Sequence, residues 1–136
     1  MGSRHRSREA ALKILYQADL LSEDDIGQIA GDLWKERGSP NADRAFTDEL
    51  VKGVMGRREE IDAKLGAAME NWEPARLGYM ERAILRIGGY ELLFCSDAPD
   101  NVVIDEAIEL AKSYCDPKSE GFINGVLDRM MKDKDL

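Results

Sequence analysis

The side chains with the most chemistry to offer stand at the very start of the chain. The stretch SRHRSREAALKILYQADL, Ser3 to Leu20, places Arg4, His5, Arg6 and Arg8 together ahead of the first acid, Glu9. Arginine carries a planar fork that grips phosphate, reaches base edges and stacks on bases, so a cluster of this kind points to RNA. The same cluster is misplaced for helix stability. A helix N-terminus carries partial positive charge, and each cation there costs a few tenths of a kcal/mol. On a helical wheel the four basic residues point in different directions, as on an arm and a first turn wrapped in charge. The competing reading is a frayed, solvated terminus.

A second group lies in DPKSEGFINGVLD, Asp116 to Asp128. Lys118 and Ser119 fall in the first turn of a helix, where free backbone N–H groups also favour a phosphate. Phe122 lies roughly 90° from the apolar stripe centred on Val126, which leaves two uses open: stacking a base, or closing the end of the core.

Enzyme chemistry finds no foothold. There is no Walker-type phosphate loop and no GxGxxG. Any Ser-His or Cys-His pair would depend on His5, the one histidine, in a segment poorly suited to preorganisation. Asp105, Glu106 and Glu109, and the Glu23-Asp24-Asp25 run, read as solvated faces or caps. Cys95 and Cys115 form no CxxC pair and read as two small buried hydrophobes in a reducing compartment. A zinc site needs about four ligands, so none is expected. The expectation is a non-enzyme without cofactor or metal.

The positions of these residues depend on what carries them. The chain has 136 residues, 43% of them hydrophobic and 34% charged, which suits one globular domain. No apolar run approaches the roughly 20 residues of a membrane span, and no signal-peptide region opens the chain, so the expected location is the cytoplasm, away from membranes. Net charge is −8. Without the three arginines of residues 1–8, 16 bases face 27 acids, a net −11. Such a body repels nucleic acid except at a basic patch and attracts a basic protein partner.

Pro40, Pro74, Pro99 and Pro117 sit in polar stretches between segments of helical apolar spacing. A first helix runs from about Arg6 to Leu21, with Ala11, Ile14, Leu15, Ala18 and Leu21 on one stripe. A weaker one carries Ile26, Ile29, Ala30, Leu33 and Trp34, with Gly27 and Gly31 against it. The next starts near Asn41 or Asp43, either a good cap, and Gly53 and Gly56 bend or split it. The segment containing ERAILRIGGYELLF is apolar on two faces, as a central helix would be, and Gly88 and Gly89 would admit a close neighbour. Two more follow, about Asn101 to Tyr114 and from Asp116 onward, with Pro117 at the favoured first position. The fold class is all-α. We expect a single domain over residues 1–136, of six or seven helices in two sub-bundles, about 1–72 and about 73–136, with a waist near 70–75.

Four stretches, in this order and spanning nearly the whole chain, resemble the NusB family of bacterial transcription antitermination factors. They are RHRSREAALKILYQAD (Arg4–Asp19), ERAILRIGGYELLF (Glu81–Phe94), NVVIDEAIELAKSY (Asn101–Tyr114) and FINGVLD (Phe122–Asp128). The resemblance implies an all-helical fold of two halves and binding of boxA RNA. It implies a protein partner, the ribosomal protein NusE, and read-through by RNA polymerase with other Nus factors in ribosomal RNA operons. Homodimers that cover the RNA surface also occur in the family. By resemblance Arg4, Arg6 and Arg8 go to RNA, with His5 where another arginine is common. Lys118, Ser119 and Phe122 match the start of the last helix, which lies beside the arm. Glu81, Arg82 and Arg86 are the expected partner-facing residues, and Asp105 replaces a common Asn. Two rivals remain: a helical interaction adaptor without specific RNA binding, and the RNA-binding part of an RNA cytosine methyltransferase, disfavoured because no catalytic segment is present.

Overall fold

The middle of the first half divides at one residue. In the computed structural model, which describes residues 3–22, 26–36, 42–69 and 77–134, the apolar run after Asp43 divides at Arg57 into α3 (Arg44–Gly56) and α4 (Arg58–Ala68). Before them come α1 (Ser3–Leu20) and α2 (Ile26–Glu36); after them α5 (Tyr79–Phe94), α6 (Asp100–Tyr114) and α7 (Pro117–Asp133). The described residues are all-helical and turn, with seven helices and no strand. Gly38, Ser39, Pro40, Asn41, Pro74, the acids 23–25 and the 70–75 waist lie outside the described residues.

Several expectations are sharpened. The first helix begins at Ser3, so Arg4, His5, Arg6 and Arg8 are helical residues and not an extended arm. Leu21 does not join the core stripe. The helix ends before it, Ser22 turns the chain with φ of 51°, and Leu21 is left 66% exposed. Asp43 is the α3 cap, its carboxylate accepting from the Phe46 N–H at 3.2 Å. Asp116 occupies the cap position of α7, but its side chain makes no capping bond; Pro117 follows at the start of the helix. Cys95 and Cys115 are free and half-buried rather than fully buried. Burial is the main cause raising both thiols to about 11.

α5 is the central helix, packed on α1, α3, α4, α6 and α7. Ile84, Leu85, Ile87, Tyr90 and Leu92 are buried on its different faces. α4 lies against α5 and α7, and one continuous core joins all seven helices. Close approaches use the absence of side chains. A Cβ on Gly88 would stand 2.8 Å from Leu127 and one on Gly89 3.1 Å from Ile61. At Gly53 it would clash with the hydroxyl end of the Tyr90 ring. We therefore expect Gly53→Ala to displace Tyr90 and destabilise by about 1–2 kcal/mol, overpacking outweighing alanine's better helix propensity. Urea unfolding measures this, and Gly56→Ala, where nothing stands within 4 Å, is the control expected to be neutral or stabilising.

Paired side chains give the directions of the helices. Arg8 meets Glu91 and Asp19 meets Arg82, so α1 runs antiparallel to α5. Ser119 meets Glu81, and Lys134 reaches the Leu92 carbonyl, so α7 runs parallel to α5. His5 meets Glu106 and Glu9 meets Tyr114, so α6 runs along α1.

Candidate nucleic-acid interface

The basic start of α1 is sorted by depth. Arg4 and Arg6 hold their side chains outward, 50% and 51% exposed. Arg4 reaches Asp97 at 3.3 Å and lies 3.9 Å above the Phe46 ring. Arg6 donates to Glu9 at 2.8 Å. Surface pairs of this kind are worth little, so both guanidiniums remain available to a phosphate that competes for them.

His5 and Arg8 turn the other way. His5 is half-buried, its Nδ1 2.8 Å from Glu106 Oε2 and its Nε2 3.9 Å from Glu9. Arg8 is only 4% exposed and donates through Nε and Nη2 to both oxygens of Glu91, at 2.8 and 2.7 Å. Its Nη1 stands 4.0 Å from Glu106. Burial opposes the Arg8 cation, but the bonds and charges of Glu91 and Glu106 outweigh it and hold its pKa above the usual value. The expectation that Arg8 contacts RNA is thus corrected. It lies on the core face with Ala11 and Leu15, and its fork is spent on Glu91. Ser7, beside it, is buried as well. Its hydroxyl accepts from the Asp43 N–H at 2.7 Å and donates to the Asp43 carbonyl at 3.0 Å, clamping α1 to the start of α3.

Glu9 is the residue that links the two candidate groups. One oxygen accepts from Arg6 and the other from the Tyr114 hydroxyl at 3.1 Å. Tyr114 ends α6, and the chain enters α7 three residues later, so this carboxylate holds to α1 the end of the helix that leads into α7. Burial opposes the charged form of Glu9. The bonds from Arg6 and Tyr114, with the charges of His5 and Arg6, outweigh that and bring its pKa below 4.5. Burial and the Glu9 charge raise the Tyr114 hydroxyl in turn.

The sign of the pH dependence follows. A carboxylate with a lowered folded pKa stabilises fully above its unfolded value, and that stability is lost as pH falls through the folded one. At neutral pH Glu9→Gln should be about 1–2 kcal/mol less stable than the parent. The gap should close as pH drops below 4.5, which thermal melts of both proteins across the acid range would show.

On α7, Lys118 is exposed and Phe122 is 38% exposed, so the open choice for Phe122 resolves toward the surface. Ser119 is buried, donating to Glu81 at 2.8 Å, and is corrected from a phosphate contact to a tie between α7 and α5. That tie sits at the level of Asp19, so Lys118 and Phe122 stand nearer the far end of α1 than the arginines, ~20 Å along its axis at 1.5 Å per residue. The basic and aromatic groups therefore form two stations along one edge, not one cluster.

The residues expected to face a protein partner are also engaged internally. Glu81 accepts from Ser119; Arg82 donates to Asp19 at 2.8 Å; Arg86 holds both oxygens of Asp62 at 2.9 Å and approaches Asp19 at 3.6 Å. The Arg82 guanidinium lies 5.0 Å from the exposed Tyr79 ring. Tyr114, the clasp of the site, was missed in the sequence because it shares the inward stripe of Val103, Ala107 and Leu110; only its hydroxyl, at the end of that stripe, hinted at another use. Among the described residues one group, Glu49, Cys95 and Asp97, has metal-ligating atoms within 4.8 Å of one another, two of the three being surface acids.

Comparison with known proteins agrees with this arrangement. The NusB family model matches residues 5–132. The transcription antitermination protein NusB of Geobacter sulfurreducens is 42% identical over 130 residues, covering 96% of this chain and 94% of its own. That of Nitratiruptor is 41% identical over 133 residues, covering 98% and 94%. Among solved structures, a crystal structure of antitermination factors NusB and NusE in complex with dsRNA superimposes with a TM-score of 0.86 at 32% identity, over 96% of this chain and 97% of that one. Thermotoga maritima NusB superimposes at 0.83 and 34% identity, over 98% and 94%.

Proposed function

This chain belongs to the NusB family, and on that premise we propose that it is an RNA-binding transcription antitermination factor working with the ribosomal protein NusE. It is not an enzyme. The observation that carries this is the match along almost the whole chain, residues 5–132, which includes Arg6 in the first turn of α1 and the first turns of α7. The specific RNA is boxA of ribosomal RNA leaders, and the bound pair helps RNA polymerase, with other Nus factors, to read through terminators. Among the described residues no helix is long and apolar enough to cross a membrane, in keeping with work beside the polymerase in the cytoplasm.

The site residues divide by role. Arg4 and Arg6 supply exposed cations for phosphate, and Lys118 and Phe122 supply a cation and a stacking face further along. His5, Arg8 and Ser119 are positioning residues that fix α1 and α7 against α6 and α5. The NusE-facing surface lies at the start of α5, around Glu81 and Arg82, with Arg86 bracing it from Asp62. A chain with net charge −8 attracts a basic ribosomal protein there.

The test measures binding to boxA RNA and to a scrambled control across salt, with and without NusE. Preference for boxA, a steep fall with salt and tighter binding with NusE are expected. Equal affinity for both RNAs would sink the proposal.

A further inference from the structure

A groove of ≈ 290 Å³ lies between α2 and α3, away from α7 and from the partner end of α5. Ile26, Ala30 and Val51 give it apolar walls, and Trp34 lines it as well. The Trp34 indole nitrogen is buried and has no hydrogen-bond partner among the described residues. Buried donors in folded proteins are nearly always paired, so one left without an acceptor in the wall of a groove is an unmet donor that a bound acceptor would satisfy once the ring shifts. Gly31 adds a second sign. It sits inside α2, where alanine would serve the helix better, and a Cβ there meets nothing within 4 Å. Its bareness serves no packing in the fold and keeps the groove open.

The rim selects by charge. Among the described lining residues Arg44, which lies 5.0 Å from the Trp34 ring, and Lys52 outnumber Asp48, a pair of cations on an acidic protein. An apolar side chain would fill the walls but satisfy neither the rim nor the indole. A nucleotide offers a flat base with acceptors and, attached to it, a phosphate. The groove shares the first turn of α3 with the site described above. Arg44 follows Asp43, which Ser7 of α1 clamps, and Phe46 two residues on carries Arg4 at 3.9 Å. A strand leaving Arg4 crosses the first turn of α3 to reach Arg44.

We propose that the α2–α3 groove is a further RNA subsite, taking one base against Trp34 with its phosphate at Arg44 and Lys52. This rests on the RNA-binding reading and extends the footprint beyond α1 and α7. Asp48, at the mouth, accepts from the amino or imino groups of the base.

The experiment compares a short RNA that covers only the α1 arginines with one extended by several nucleotides at both ends, on the full chain. Three proteins are used: the parent, Gly31→Leu, which fills the groove while improving helix propensity, and Trp34→Phe, which removes the indole N–H. The parent should hold the longer RNA about tenfold more tightly through the groove, and both variants should lose that gain while binding the short RNA like the parent. A 4-thiouridine in the extension should crosslink to α2 or α3 in the parent and not in Gly31→Leu. Variants that bind both RNAs like the parent overturn the proposal, as does an equal loss on both RNAs, which would place the effect in the fold. Loss of NusE capture by Gly31→Leu with RNA binding unchanged also overturns it, making the groove a protein site. A parent that binds neither RNA is a different outcome, the failure of the RNA-binding reading itself.

Discussion

Arg8→Ala should lower the folding stability by about 3–5 kcal/mol and the melting temperature by roughly 10–20 °C. The Glu91 carboxylate is 3% exposed in the last turn of the central helix, and both of its oxygens are satisfied by the Arg8 fork. Removing the arginine leaves a buried charge with no partner, which costs much more than the pair is worth. The comparison variant removes both charges. Arg8→Met with Glu91→Leu takes out the desolvation cost together with the attraction, so most of the stability should return. Arg8→Lys should fall between, since one ammonium cannot hold two oxygens at once. Urea unfolding of the four proteins gives the differences. The double variant also separates two roles: if it folds and still binds RNA like the parent, Arg8 is a positioning residue, and if it folds but loses RNA, Arg8 touches the ligand.

Arg8 also shows where the sequence could be read and where it could not. The helices were legible because their apolar residues repeat at helical spacing, and α5 announced its central place by being apolar on two faces. The position of Arg8 was encoded too, since it precedes Ala11, Leu12 and Leu15 at core-facing intervals. What the sequence could not supply was the acid waiting 83 residues away. Glu91 lies among Gly88, Tyr90 and Leu92 on buried faces, where an acid requires a cation, but nothing local says which cation comes. The same holds for Ser119, four residues before Ile123 on the inward stripe, whose partner Glu81 lies on another helix. The angle of Phe122 from Val126 is local geometry and legible, but that angle fits both exposure and the edge of the core, and only the packed structure decides between them. Leu21 was misplaced because helical period says nothing about where a helix stops, and there Ser22 turns the chain. The split at Arg57 was foreseen as one of two outcomes. Gly53 has its own reason, the Tyr90 ring, which is a tertiary contact and invisible in a one-dimensional pattern.

Arg4→Ala with Arg6→Ala should leave stability within about 1 kcal/mol of the parent and weaken binding to boxA RNA by ~10–100-fold. The stability claim follows from exposure: each side chain is half in solvent, and its pairs with Asp97 and Glu9 are surface pairs. Glu9 keeps the Tyr114 hydroxyl when Arg6 is gone, so the α1–α6 clasp persists. The binding claim follows from counterions. Each phosphate neutralised on a single strand contributes about 0.7 to the slope of log affinity against log salt, so losing two should flatten the slope by ~1.4. That slope change distinguishes lost phosphate contacts from a general loss of fold, which would lower the affinity and leave the slope of the surviving molecules unchanged. The cation at a helix start, unfavourable by tenths of a kcal/mol in the free protein, is then accounted for by what it does with RNA present. Had the double variant kept both its affinity and its slope, the charge at the head of α1 would be a solvated terminus and the RNA surface would have to lie with Lys118 and Phe122 alone.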